Sequence, residues 1–239
     1  MLQINPLDFT KNSYDIRSGC FYINPDSDKD YTDMKGMAME EILKDVYTWS
    51  VYSQEKGYNF NGWFILKQNP LFGNVVIDPP QPSDEDLAQM RSMGGVGQII
   101  ITNKDHVRWS KELKKEFNPL TMMPSPDAGS VEIEVDSTFD DGDALAGFLK
   151  AVHVPDNKSP GETALFWQQR KILIIGDALI GKPPGDVTLL PQEKYADITL
   201  AREGIGVLAG LDFDALLLGD GEPIPREGKI PVERFIKGN

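Results

Sequence analysis

Apolar and polar positions divide the chain into two parts. Residues 1–40 are rich in Asp, Asn, Tyr and Ser and sustain no apolar period. They are predicted to form an N-terminal extension, with Phe9, Tyr14, Phe21 and Tyr22 packed on a domain over 41–239. From Val46 the pattern sharpens. Residues 46–52 alternate and are rich in β-branched and aromatic side chains, which predicts a strand. Strands follow at 62–66 and 74–77, the second ending at Asp78-Pro79-Pro80. Ser83 is placed to cap a helix whose first turn holds Asp84, Glu85 and Asp86, where carboxylates suit the helix dipole, and Gly94-Gly95 ends it.

A short strand at 98–102 and a helix at 107–117 complete the first half. The second half repeats the alternation, with strands at 131–135 and 149–154, then a pair at 163–167 and 171–175 joined by a polar turn. A helix at 198–208, a buried strand at 215–218 and a last helix at 232–237 follow. Strands interrupted by occasional helices imply an α/β architecture with helices outside β-layers. Trp49, Tyr52, Trp63 and Trp109 are expected in the core or a pocket wall.

Composition narrows the function. The chain has 239 residues and 40% hydrophobic content, enough for a sizeable core. Cys20 is its one cysteine, so neither an intramolecular disulfide nor a cysteine-rich zinc site can form. A net charge of −13 argues against a nucleic-acid or anionic-membrane binder, since phosphate contact needs clustered Lys and Arg. No apolar run approaches the roughly 18 residues of a membrane span. Residues 1–10 show no basic start followed by an apolar stretch, and the expected location is the cytoplasm. Oligomeric state is not legible.

The polar clusters stand where apolar strands end, where loops in α/β proteins converge on a crevice. They are Thr102-Asn103-Lys104-Asp105-His106, Asn157-Lys158-Ser159-Pro160-Gly161-Glu162, Gly176-Asp177-Ala178 and Gly219-Asp220-Gly221-Glu222-Pro223. In this order, with Val76-Ile77-Asp78-Pro79 before them, they resemble the motifs of the metallo-β-lactamase fold superfamily over roughly residues 45–237. That family has a Thr-His-x-His-x-Asp-His turn, a Gly-His-Ser-Pro-Gly turn, a Gly-Asp ending a strand and a late Gly-His. The resemblance implies a four-layer αββα sandwich and descent from a hydrolase of ester, amide or thioester bonds using metal-bound hydroxide.

The ligand set departs from that pattern. The chain has two histidines, His106 and His153, whereas the family's binuclear site draws on several plus a shared aspartate. Asn103 stands where the first histidine would be. Asp105-His106 matches the motif's Asp-His either across a deletion or displaced without a gap. Lys158 and Asp220 replace two further histidines, and Asp177 alone keeps its family place. Charge balance gives these changes one logic. Carboxylates gathered without dications repel or take up protons, and Lys158 can supply the missing positive charge against Asp177 and Asp220.

The expected pocket is therefore Asn103, Lys104, Asp105, His106, Lys158, Asp177 and Asp220, with no metal cofactor, in a non-catalytic binder or scaffold. Its expected ligand is a small anionic metabolite met by Lys104, Arg108 and Lys158. The alternative is a hydrolase with a single Zn²⁺, Mn²⁺ or Mg²⁺ on Asp105, His106, Asp177 and Asp220. Metal-free chemistry with Lys158 as base or nucleophile is a third reading. His106 has a plainer role too, hydrogen-bonded at a helix start, and His153 is read as structural.

Overall fold

The computed structural model describes residues 14–15, 20–21 and 38–238. Within an N-terminal unit, Met1–Lys35, strands β1 (Tyr14–Asp15) and β2 (Cys20–Phe21) form an antiparallel ladder. The expected packing of Phe9, Tyr14, Phe21 and Tyr22 falls outside what is described.

The second unit, Gly36–Asn239, carries two sheets. The first holds β3 (Glu40–Leu43), β4 (Val46–Ser53), β5 (Tyr58–Ile65), β6 (Val75–Ile77), β7 (Gln98–Ile100), β8 (Leu120–Pro124) and β9 (Ser137–Phe139), side by side in chain order. Pairing is antiparallel from β3 to β6 and parallel from β6 to β9. Helices α1 (Asp84–Ser92) and α2 (Ser110–Phe117) make the first two parallel crossovers. The second sheet runs β10 (Ala144–Leu145), β11 (Leu149–His153), β12 (Thr163–Trp167), β13 (Ile172–Ile175) and β14 (Ala215–Leu218). Only β13 and β14 pair in parallel there, joined through α3 (Ile198–Gly204) and a 3₁₀ turn over Ile205–Leu208. Helix α4 (Lys229–Lys237) follows.

Side-chain alternation sets the layers, because successive strand residues face opposite sides. Trp63, Ile65, Val75, Ile77 and Ile100 of the first sheet meet Leu165, Ile172, Ile174 and Leu217 of the second in one buried cluster. The intervening residues Phe64, Val76 and Ile99 pack outward with Met90 of α1 and Leu113 of α2. Leu173, Ile175, Leu216 and Leu218 pack outward with Ala201 of α3 and with Val232 and Phe235 of α4. The result is the expected αββα sandwich. No helix among the described residues is long and apolar enough to cross a membrane.

Ser83 caps α1 as anticipated: it accepts from the Asp86 amide, and the Asp86 carboxylate accepts from the Ser83 amide. Three expectations need correction. Residues 131–135 form no strand. Val131, Ile133 and Val135 imitate one by resting half-buried on the outer core without joining a ladder. The strand beside β7 is β8, which is rich in methionine rather than β-branched residues and so carries little strand signature. The helix expected from 107 begins at Ser110, because Lys104–His106 forms a separate 3₁₀ turn capped by Asn103. Tyr52 is 41% exposed, whereas Trp49 and Trp63 are core and Trp109 is half-buried.

Candidate functional site

Parallel pairing of β6 with β7, and of β13 with β14, brings four strand ends to one edge. Asp78 follows β6, residues 102–108 follow β7, Gly176-Asp177 follows β13 and Gly219-Asp220 follows β14. The 157–162 turn before β12 joins them, since the Thr163 amide donates to the Thr102 carbonyl at 3.1 Å. Two glycines permit this proximity. A Cβ on Gly176 would lie 2.8 Å from Asn103 Nδ2 and closer still to Thr102 Oγ1. One on Gly219 would lie 2.7 Å from His106 Cε1.

His106 sits at the centre, 2% exposed. Its Nδ1 is 2.8 Å from Asp78 Oδ2, and that carboxylate is held by the Thr102 amide (2.8 Å) and hydroxyl (2.6 Å). Nε2 faces Asp177 Oδ1 at 3.5 Å, Asp220 Oδ1 at 4.0 Å and Arg108 Nη2 at 3.2 Å. Burial and Arg108 oppose a charged imidazole, but Asp78 and Asp177 outweigh them and raise its pKa to about 10. The Arg108 contact asks for a lone pair on Nε2, and the carboxylates ask for a proton there. Two carboxylates against one guanidinium decide the direction, which is upward.

Two cations meet the remaining carboxylates. Lys158 Nζ lies 2.7 Å from Asp177 Oδ2 and 3.0 Å from Asp105 Oδ2. Arg108 Nη2 lies 2.5 Å from Asp220 Oδ1. The guanidinium is also within hydrogen-bond reach of the carbonyls of Asn61 (3.0 Å), Asp78 (3.3 Å) and Gly219 (3.3 Å), and it lies over the Phe60 ring at 4.9 Å. Burial alone would raise Asp177, yet His106 and Lys158 hold it below the carboxylate range. Asp220 moves the other way, because its burial is only partly offset by His106 and Arg108. Glu162, fully buried, is pushed well up by burial and by Asp177, while it accepts from Asn103 Nδ2 (2.8 Å) and the Ala178 amide (3.0 Å). Asp105 is lowered: burial raises it, but Lys158 and Lys104 prevail.

The seven residues singled out in the sequence thus lie close together. Asn103, His106, Asp177 and Asp220 are buried, and Lys104, Asp105 and Lys158 stand at the rim. Lys158 pairs with Asp177 as expected. Its expected alternative partner, Asp220, takes Arg108 instead. The sequence suggests only an anion contact for Arg108, whose backbone holds φ 42°, a conformation that no sequence spacing signals. Sequence reasoning places Glu162 in a polar cluster without giving it a role, and it misses Asp127. Asp127, 1% exposed, accepts from the Lys104 amide (2.8 Å), the Gly161 amide (3.0 Å) and the Ser159 hydroxyl. His153 ends β11, paired with Thr163, and its amide donates to Asp141 Oδ1 at 2.9 Å.

The described residues bring one potential metal-holding trio together: His106, Asp177 and Asp220 each offer an atom within 4.8 Å of the others. These three residues already face the protein's own cations, Lys158 on the Oδ2 of Asp177 and Arg108 on both His106 Nε2 and Asp220 Oδ1.

Among solved structures, the chain is similar to a metallo-β-lactamase from Pontibacter korlensis, at 14% identity and a TM-score of 0.66, covering 83% of this chain and 96% of that one. A metallo-β-lactamase from Hirschia baltica matches at 14% identity and TM-score 0.65, covering 84% and 98%. A metallo-β-lactamase family protein from Thermus thermophilus matches at 16% and 0.59, covering 82% and 79%. At such identities these likenesses speak for the fold alone. No curated protein matches. The sequence model of the metallo-β-lactamase superfamily matches residues 39–237, most of the chain. The chain therefore belongs to the metallo-β-lactamase superfamily.

Proposed function

We propose that this chain is a non-catalytic, ligand-binding member of its superfamily, with internal ion pairs standing in for the binuclear metal site. The observation that carries this reading is the seating of Lys158 and Arg108 on the groups a dication would need. A metal binds deprotonated donors free of competing cations. Here His106 is drawn towards its protonated form, Arg108 faces its Nε2, and each aspartate has a cationic partner. The residues present do not fit two dications.

The proposed ligand is a small anion. Asp105 is the outermost carboxylate, its side chain 37% exposed, and both Lys104 (3.3 Å) and Lys158 (3.0 Å) contact it. An incoming carboxylate or phosphate that displaces Asp105 would inherit two ammonium partners. Metal content after purification without chelators, thermal unfolding with added Zn²⁺ and turnover of ester and thioester substrates test the reading. It expects no stoichiometric metal, an unchanged Tm and no turnover, because a ligand stabilises only a state it prefers. One metal per chain together with turnover would overturn it.

The mutual approach of His106, Asp177 and Asp220 favours a second reading, a hydrolase with one Zn²⁺, Mn²⁺ or Mg²⁺. Such an ion would supply an activated water for ester, amide or thioester cleavage. This reading requires Arg108 to withdraw from His106 and Asp220.

A further inference from the structure

We infer that Arg108 is a tethered plug: its guanidinium occupies the place of a cation against His106 and Asp220, and removing it uncovers a latent single-metal site on His106, Asp177 and Asp220. The inference rests on the reading of the native site as metal-free.

Three observations carry it. The first is the donor geometry. His106 Nε2 stands 3.5 Å from Asp177 Oδ1 and 4.0 Å from Asp220 Oδ1, and all three ligand atoms lie within 4.8 Å of one another. Bonds of about 2.0–2.2 Å in tetrahedral geometry put ligand atoms about 3.4 Å apart, so modest closure of the aspartates around one ion suffices. Asp78 on Nδ1 is already the partner that orients a metal-binding imidazole and presents Nε2.

The second observation is that the guanidinium is seated as part of the fold. It has Asp220, His106 and three backbone carbonyls around it and an aromatic face against it. A guanidinium keeps its charge at every relevant pH, and its planar fork suits several acceptors at once. Covalent attachment also gives it a local concentration that a free ion in solution does not match.

The third is backbone strain at the same place. Arg108 holds φ 42°, in the left-handed region that a long L side chain rarely adopts, and Asp78 across the site holds φ 49°. Both strained residues contact the same imidazole, Asp78 at Nδ1 and Arg108 at Nε2.

The test uses the full chain, Zn²⁺ as the probe and two variants: Arg108→Met, which keeps an apolar stem beside Phe60, and Arg108→Met combined with His106→Asn. Equilibrium dialysis with metal analysis reads stoichiometry, and thermal unfolding reads the fold. The expected result is about one Zn²⁺ per chain in Arg108→Met, bound at least about 100-fold more tightly than by the native chain, and lost in the double variant. If Arg108→Met unfolds, Zn²⁺ is expected to restore its cooperative transition by replacing the missing charge. Folded Arg108→Met with no gain in Zn²⁺ affinity would overturn the plug and leave the metal-free reading standing. So would an unfolded variant that Zn²⁺ does not rescue. Tight, His106-dependent Zn²⁺ binding by the native chain would overturn the metal-free reading itself, and the plug with it.

Discussion

Lys158→Met isolates the ion pair at the mouth of the site. Methionine preserves most of the stem and deletes the ammonium that lies 2.7 Å from Asp177 and 3.0 Å from Asp105. Removing one partner of a buried pair typically costs about 3–5 kcal/mol, and an exposed pair is worth about 0–1 kcal/mol. This pair is mixed: the Asp177 side chain is 4% exposed and that of Lys158 is 23% exposed. Asp177 also retains His106 at 3.5 Å as a second cationic neighbour. The expected loss is therefore about 2–3 kcal/mol at neutral pH. At about 2–4 °C per kcal/mol for a domain of this size, Tm should fall by roughly 5–10 °C. Urea unfolding of the native chain, Lys158→Met, Asp177→Asn and the double variant measures the coupling directly. Lys104→Met, which removes an ammonium paired with the exposed Asp105, serves as control and should cost under about 0.5 kcal/mol. If Lys158→Met matches that control, or the coupling falls below about 0.5 kcal/mol, the charge-balance argument fails.

The other expectations concern the surrounding frame. His106 is raised to about 10 from an unfolded value near 6.5, so the native state holds an extra proton between them. The stability this gives is complete below about pH 6.5 and is lost as pH rises, by about 1.4 kcal/mol per unit, until about pH 10. His106→Asn should flatten that limb in chemical denaturation; a flat native profile would mean that Arg108 keeps Nε2 deprotonated. Gly176→Ala forces a methyl into Thr102 Oγ1 and should cost about 2–3 kcal/mol, read as a lower urea midpoint. A neutral result would show that the two loops part freely. Deleting residues 1–35 should leave cooperative unfolding of Gly36–Asn239, since both sheets and all three core clusters lie there; loss of the transition by circular dichroism would refute it.

The sequence exposes the frame more fully than the site. Strands 163–167 and 215–218 are legible to the residue because buried strands write uninterrupted apolar runs bounded by polar turns. Strand β8 is hidden because Leu120-Thr121-Met122-Met123-Pro124 has weak β-propensity and takes its structure from its neighbours. Within the site, charge balance suffices to pair Lys158 with Asp177. It cannot assign Asp220, since Lys158 and Arg108 offer the same charge and only the fold places the guanidinium there. Glu162 and Asp127 look like ordinary loop acids, and only burial sets them apart.

Asp127 has a bearing on how such a site can change. Its carboxylate holds the amides of Lys104 and Gly161 and the hydroxyl of Ser159, three groups that would be present whatever side chains stood at 104, 105 or 158. The posture of both loops is thus fixed by an anchor that takes no part in the ion pairs beside it. Residues facing the cavity are free to be exchanged one at a time, ligand for lysine or lysine for ligand, on a platform whose shape does not depend on the exchange. On this footing substitutions at 158 and 127 should differ in kind: the first alters what the cavity holds, and the second unfastens the two loops from each other.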